Sequence, residues 1–397
     1  MIKSILRYSR EILKIFFRGR SRYLVREKLR LWFKRKAWLS LDPATREEAA
    51  EGLDSSAGWL ITAQKMMKDN GMGSYSLSGS WSSSYPETTG YIIPTLLDYY
   101  RFSKQEEARI AALKAAAWLV SIQLDNGGWQ GGRMNENRPA IVFNTGQVLR
   151  GLIAAWEETR LEEYLDCAIR GADWLCDVQH PDGYWKKNAL MNQARVYDSY
   201  VDVPLLNLWK ITGNQRYADH ALRNLEWITR KKQMGNGWFS DCDNTMKHND
   251  RPILHTIAYT IDGLHDCGTI LGNKELLEAA AYPADMLAGI YKKQGFLHGR
   301  YDEKWNGSEH PILTGMAQMA IVWLKLAGQS KDGDYKHLAG KLLSQLLWLQ
   351  EKNGSRDIQG AITGSFPMWG RYEPFAYPNW AVKFFSDALL RYCLQPE

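Results

Sequence analysis

Apolar residues recur along this chain in two alternating helical patterns. One carries a single apolar stripe and a charged face, as in EEARIAALKAAAWLVSIQ. The other is apolar nearly all round, as in YIIPTLLDYY and GMAQMAIVWLKLAG. The first pattern suits a helix packed on one side, the second a helix buried on every side. The striped segments share a Trp-Leu phrase or its relative: AGWLITAQ, AAWLVSIQ, ADWLCDVQ, LEWITRKKQ, ADMLAGIYKKQ and LLWLQEK. Their reference positions, Trp59, Trp118, Trp174, Trp227, Met286 and Trp348, are spaced by 59, 56, 53, 59 and 62 residues. Regular spacing of this kind marks a repeat architecture. Each striped segment runs into a Gly-containing turn, which stops a helix. A longer loop follows, and then the apolar helices, predicted to begin near Gly90, Asn144, Tyr200, His255, Thr314 and Asn379.

The unit is helix, long loop, helix, short loop, and it occurs six times with almost no strand pattern. Six antiparallel helix pairs bury both layers if the chain closes on itself. The predicted fold is therefore all-α, an (α/α)6 toroid of six helical hairpins with the striped helices outside. An open superhelix of hairpins is the competing geometry. The phrases QLDNGGW (Gln123 to Trp129) and QHPDGYW (Gln179 to Trp185) share one frame at the end of an outer helix. They read as structural clasps: Gln ends the helix, Gly turns the chain and Trp packs over the turn.

Charge changes the picture at the N-terminus. Residues 1–40 hold 13 Lys/Arg against two Glu, a net +11, which leaves residues 41–397 at −5 within the overall +6. The reading is a basic arm, 1–40, followed by a mildly acidic toroid domain, 41–397. In MIKSILRYSREILKIFFRGR the residues Ile2, Ile5, Leu6, Ile12, Leu13, Phe16 and Phe17 form an apolar stripe flanked by Lys3, Arg7, Arg10, Lys14 and Arg18. A basic amphipathic helix of this kind suits an anionic membrane surface; docking of its stripe on the body is the alternative. Few polar base-readers stand among the cations, so nucleic acid is not an expected partner. No apolar run reaches membrane-spanning length. Five cysteines without a CxxC pair fit reduced thiols. The expected location is cytoplasmic, peripheral at the inner face of the cell membrane. The 17 Trp and 20 Tyr suit a wide core or a cleft that stacks flat ligands.

The Gln-Gly-Trp phrases resemble the QW motif of triterpene cyclases and the wider terpenoid-cyclase and prenyltransferase toroids. Similar phrases occur in six-hairpin carbohydrate enzymes: glycosidases, uronate lyases and epimerases. YPETTGYIIPTLL, FNTGQVLRGLIAA, HTIAYTIDGL and FAYPNWAVKFFSDALL resemble a bacterial prenyltransferase-like group met beside surface-polysaccharide synthesis genes. The resemblance implies a toroid over about residues 45–395 and leaves the chemistry open.

In such a ring the inner-helix N-termini and the long loops converge on one mouth, where free N–H groups favour anionic ligands. The candidates there combine aromatics, carboxylates and Arg, a composition suited to sugar: rings stack on a pyranose, and Arg pairs with a uronate. Glycoside hydrolysis needs two carboxylates, for which Glu87 and Asp198 are the leading pair. Lyase or epimerase chemistry needs a base, for which His255 or Tyr259 would serve. Expected substrate contacts are Tyr85, Asn144, Arg195, Tyr197, Tyr200, Arg300, Glu309, Arg371, Glu373 and Tyr377. Glu87 and Asp198 have a plainer reading as helix caps, and His255 as a hydrogen-bonded core histidine.

SDCDNTM resembles the acidic motif with which class II terpene cyclases protonate polyenes, with Asn244 where those enzymes have a second Asp. Cys242, His248, His255, His265 and Cys267 cluster in sequence without tight metal-ligand spacing, so no metal is expected. No phosphate loop, dinucleotide fingerprint or serine elbow is present, and no cofactor is expected. The leading expectation is a carbohydrate-active enzyme on an acidic or lipid-linked glycan of surface-polysaccharide metabolism. A terpenoid-cyclase-like or prenyltransferase-like enzyme on lipid and a non-catalytic glycan-binding scaffold are the alternatives.

Overall fold

The computed structural model describes residues 19–78, 80–327 and 334–396. Two short helices, α1 (Gly19–Phe33) and α2 (Arg35–Leu39), precede six hairpins. The outer helices are α3 (Arg46–Lys65), α5 (Glu106–Ser121), α7 (Glu162–Asp177), α9 (Gln215–Trp227), α11 (Lys274–Gln294) and α13 (Asp334–Leu349). The inner helices are α4 (Pro86–Ser103), α6 (Val142–Thr159), α8 (Ser199–Thr212), α10 (Leu254–Leu271), α12 (Leu313–Leu326) and α14 (Asn379–Leu394). Each inner helix packs on the next, and α14 packs on both α4 and α3, so the ring is closed. The expected (α/α)6 toroid is the observed fold.

Closure is held by the predicted clasps. The Gln123 side-chain amide donates to Gly127 O in its own turn and to Cys167 O on the next outer helix, at 2.8 and 2.9 Å. Gln179 repeats this toward Gly183 and His220, at 2.7 and 2.9 Å. Gln350 completes the ring by bonding Gly360 O and Gly52 O on α3, both at 2.9 Å. The fully buried Trp129 and Trp185 donate their indole N–H to Leu119 O and Leu175 O on the preceding helix, at 2.8 and 2.9 Å. The turns need glycine: Gly127 and Gly183 have φ of +91° and +96°, and a Cβ on either would strike a backbone carbonyl 2.5 Å away. Truncating Gln350 to Ala removes both of its amide bonds across the buried seam. It is expected to cost about 2 kcal/mol in denaturant unfolding, mostly as faster unfolding because it opens the seam.

Long loops lie over the inner-helix N-termini and satisfy their free donors. Val142 N–H bonds Asn188 O, Leu254 N–H bonds Gly299 O, and Leu313 N–H bonds Gly364 O, at 2.9, 2.9 and 3.0 Å. Two small antiparallel ladders stiffen these loops. Tyr75–Ser76 (β1) pairs with Ala376–Tyr377 (β4), tying the first loop to the last, and Arg300–Tyr301 (β2) pairs with Gly307–Ser308 (β3).

Packing is continuous across residue 40. The buried Lys28 donates to Leu349 O at 3.1 Å and pairs with Glu351 at 2.7 Å. Trp38 is buried and donates to Gln345 O at 3.0 Å. Residues 24–39 are thus docked on the toroid at the rim formed by its fifth and sixth repeats. The apolar stripe from Ile2 to Phe17 and its flanking cations lie outside the described residues. Among the described residues no helix is long and apolar enough to cross a membrane.

Candidate active site

The inner helices carry one side chain per turn toward the ring axis, and the first turns form the mouth. Neither leading carboxylate is spent on a cap. Tyr85 and Asp198 occupy the N-cap positions of α4 and α8, and neither makes a side-chain cap bond. Glu87 instead accepts the Tyr85 hydroxyl at 2.6 Å. It keeps some solvent access although protein surrounds it, as at the floor of a crevice. Burial raises its pKa to about 7 against the Tyr85 bond, which favours the ionised form. Asp198 is buried with one carboxylate oxygen unpartnered. Burial raises its pKa to about 8, partly offset by the nearby Arg195. Tyr197, next to Asp198 in the chain, is buried with it.

An aromatic wall surrounds the pair. Phe143 meets Tyr197 and Tyr259 edge-on, both at 5.2 Å between ring centres. Tyr259 also packs on His255 and Tyr200, at 4.5 and 4.7 Å. Tyr372 approaches His255 at 5.9 Å. The His255 Nδ1 lies 2.7 Å from the Gln318 Oε1; with that oxygen accepting, Nε2 keeps its lone pair. Burial lowers the His255 pKa to about 4, so the ring is neutral at pH 7. Gln147 on α6, and Thr314 and Gln318 on α12 across the ring, have buried polar atoms without a well-formed bond, as does the Tyr259 hydroxyl. Buried polar groups ordinarily find partners. Orphaned polar atoms on α6, α10 and α12, together with the unpartnered Asp198 oxygen, leave bonds for a polar ligand to supply.

Glu87, Asp198, His255, Tyr259, Tyr85, Tyr197 and Asn144 are thus brought together, with Arg195 beside Asp198. Asn144 donates to Gln130 O at 3.3 Å. Arg195 is buried with neutral hydrogen-bond partners, Thr245 O at 3.2 Å and Asn249 Oδ1 at 3.4 Å. The other candidates are engaged elsewhere. Tyr200, besides packing on Tyr259, lies under the Arg150 guanidinium at 3.7 Å, toward the far end of the ring. Arg300 is held by Asp243 at 3.0 Å and by Arg251 O at 2.9 Å, and Glu309 lies between Arg300 and Arg371, at 3.4 and 3.2 Å. Glu373 sits beside Tyr372 on the sixth loop. Tyr377 donates to Glu351 at 2.6 Å, next to Lys28. Sequence reasoning passed over Tyr91, Phe143, Gln318 and Phe384 as site candidates; three of them stand one helical turn below Glu87, Thr314 and Trp380, and that spacing was the available signal.

Asp243 does not resemble a free proton donor. Its oxygens accept from Arg300, from Ile253 N–H at 3.1 Å, and from the Thr245 N–H and hydroxyl, so it anchors a loop. Cys242 and Cys267 are buried thiols whose pKa burial pushes up, the former to about 12. Among the described residues no group of three or more His, Cys, Asp or Glu side chains is placed to hold a metal ion.

A large cavity, about 750 Å3, opens at the opposite end of the ring, among the C-terminal turns of the inner helices. Ion pairs run through it: Lys325 bridges Asp262 and Asp266 at 2.6 Å each, Lys383 pairs with Asp387 at 2.6 Å, and Asp98 pairs with Arg101 at 2.7 Å. Size alone favours this basin. Two acids without ion pairs, with pKa values raised to about 8 and about 7, favour the mouth, and they bear on chemistry where volume does not.

Residues 126–282 match the family model for the beta-L-arabinofuranosidase GH127 catalytic domain, a span with Asp198, His255 and Tyr259 but not Glu87. No curated protein matches the sequence. Among solved structures, a heparin-specific unsaturated glucuronyl hydrolase is similar at a TM-score of 0.71 and 17% identity, covering 88% of this chain and 97% of that one. An unsaturated glucuronyl hydrolase from Bacillus sp. GL1 gives 0.68 and 18%, covering 87% and 96%. An alpha-amylase from Clostridium perfringens gives 0.62 and 12%, covering 86% and 98%. The chain has the (α/α)6 toroid fold of these structures, and its central segment is similar to a glycoside-hydrolase catalytic domain.

Proposed function

We propose that the protein is a glycoside hydrolase acting on an acidic or lipid-linked glycan in surface-polysaccharide metabolism, with Asp198 as general acid and Glu87 as base or nucleophile. The observation that carries this is the uncapped carboxyl pair at the mouth, with pKa values raised to about 8 and about 7. At pH 7 the higher value keeps Asp198 protonated to serve the leaving oxygen, while Glu87 is about half ionised. Holding unpaired acids in a buried site costs stability, which argues against a passive scaffold. Arg195, buried with neutral hydrogen-bond partners, supports an acidic sugar, as does the similarity to hydrolases that act on unsaturated glucuronyl units. Tyr85, Tyr197, Tyr259 and Tyr372 would supply stacking and hydroxyl contacts to the ring.

Uronate lysis or epimerisation is the second reading, because His255 is neutral and stacked on Tyr259. The test is incubation of the purified protein with unsaturated glucuronyl disaccharides and with nitrophenyl glucuronides and arabinofuranosides, read by mass spectrometry. Hydrolysis adds one water across the cleaved bond. A product carrying a new double bond and no added water would replace hydrolysis with lysis, and an intact but isomerised sugar with epimerisation. No turnover of any acidic glycan would overturn the proposal.

A further inference from the structure

The strap formed by α1 and α2 has two unlike faces. Its inner face is anchored at the mouth end of the ring. Trp32 meets His310, Phe366 and Trp369 at 5.5, 5.4 and 6.3 Å, all in loops that lead into α12 and α14. The sixth loop also carries Tyr372, which faces His255. The outer face is different in kind. Phe33 is 73% exposed and Leu29 41%, one helical turn apart. Arg26, Arg30, Lys34, Arg35 and Lys36 are exposed around them. Arg30 pairs with Glu27, the only acid in the strap.

We propose that this face, led by Leu29 and Phe33 and ringed by cations, docks on an anionic lipid bilayer and holds the mouth of the toroid against it. Water gives an aromatic side chain no reason to stand three-quarters exposed. A bilayer interface does, because it takes the ring into the acyl boundary while the surrounding Lys and Arg meet lipid phosphates. Each such cation contributes on the order of 1 kcal/mol near an anionic surface. Charge also sets the orientation. Residues 19–39 hold eight Lys/Arg against one Glu, a net +7, and residues 41–397 carry −5, so the field draws the strap to the surface and turns the rest of the body away. A nucleic acid would be met by polar readers between the cations, and the face offers Leu29, Phe33 and Ala37 there instead. Resting on the glycosidase reading, this arrangement makes the accessible substrate a glycan anchored in the same membrane.

The experiment is co-sedimentation of the full chain with vesicles of phosphatidylcholine, with and without phosphatidylglycerol. Binding is expected only with the anionic lipid, and it should weaken as salt is raised. Leu29→Glu with Phe33→Glu is expected to weaken it at least about 10-fold, since two anchors are lost and two repulsions gained. The melting temperature and turnover of a soluble aryl glycoside should be unchanged, because neither residue is buried. Equal binding to neutral vesicles, binding unaffected by the double substitution, or tighter binding to an oligonucleotide than to anionic vesicles would each overturn the inference. Vesicle binding without turnover of any glycan would leave the docking face standing and remove the glycosidase reading.

Discussion

Replacing Asp198 by Asn is expected to lower hydrolysis about 10³-fold and, at pH 8, to raise the melting temperature. The first effect is loss of general acid catalysis, which contributes roughly 10²–10⁴-fold. The second follows from the cost of the site. In the unfolded chain Asp198 titrates near about 4, whereas in the folded protein its pKa is about 8. Between those values the folded state binds more protons than the unfolded state, so stability falls as pH rises. The contribution is fully present below about pH 4 and is lost as pH passes through about 8. Glu87, raised to about 7, acts in the same direction over a narrower window. Asn has the same shape and no proton to lose. The variant should therefore melt roughly 5 °C higher than the wild type at pH 8 and no higher at pH 4. Rate and stability moving in opposite directions would separate a catalytic acid from a structural one, since breaking a structural contact lowers both. The pH profile of kcat/KM gives an independent check. Activity should fall below about 7 as Glu87 takes up a proton and above about 8 as Asp198 loses one. Calorimetry from pH 4 to 9 reads the stability arm, and a profile flat across pH 6 to 9 would remove both acids from the mechanism.

The ring was legible because its signals are local. Helical periodicity, a Gly turn and a clasp residue recur within every repeat, and five of the six inner helices begin within two residues of the expected positions. The exception is α4, expected near Gly90 and beginning at Pro86, where proline at the first helical position opens the helix a turn earlier. The mouth was legible for a related reason: once the inner helices are placed, their first turns must converge. The next layer was not. Whether Tyr91 or Gln318 faces the axis depends on the rotation of each helix within the ring, and that is set by packing between repeats. Long-range ion pairs left no trace at all. Arg300 and Asp243 are 57 residues apart, and Lys28 meets Glu351 across 323 positions, so neither the fixed rim arginine nor the docked strap follows from any local pattern.

Gly151→Val is expected to destabilise the fold by at least about 3 kcal/mol, while Gly58→Ala on an outer helix stabilises it by roughly 0.5 kcal/mol. Both sites are helical glycines, and what separates them is the space a side chain would meet. A Cβ at Gly151 would lie 2.4 Å from Gly90 O and 2.9 Å from the Ile93 side chain. The reciprocal Cβ at Gly90 would lie 2.6 Å from Gln147 O and from the Val148 Cα. Here α4 and α6 touch backbone to backbone, and no rotamer change relieves a clash with a carbonyl. Overpacking of this kind costs about 1–3 kcal/mol where neighbours can give, and the ring, closed on itself, leaves α4 little room to move. At Gly58 nothing lies within 4 Å, and Ala there restricts the unfolded chain at no steric cost. The contact also bears on chemistry, because Glu87 stands one turn before Gly90 on α4, and Asn144 two turns before Gly151 on α6. Any Gly151→Val protein that remains folded should therefore lose turnover more than Gln350→Ala does at matched stability, because the first moves Glu87 and the second only loosens the seam. Urea unfolding of the variants measures the stability difference. A Gly151→Val midpoint equal to wild type would show that α4 and α6 do not approach as closely as the distances state.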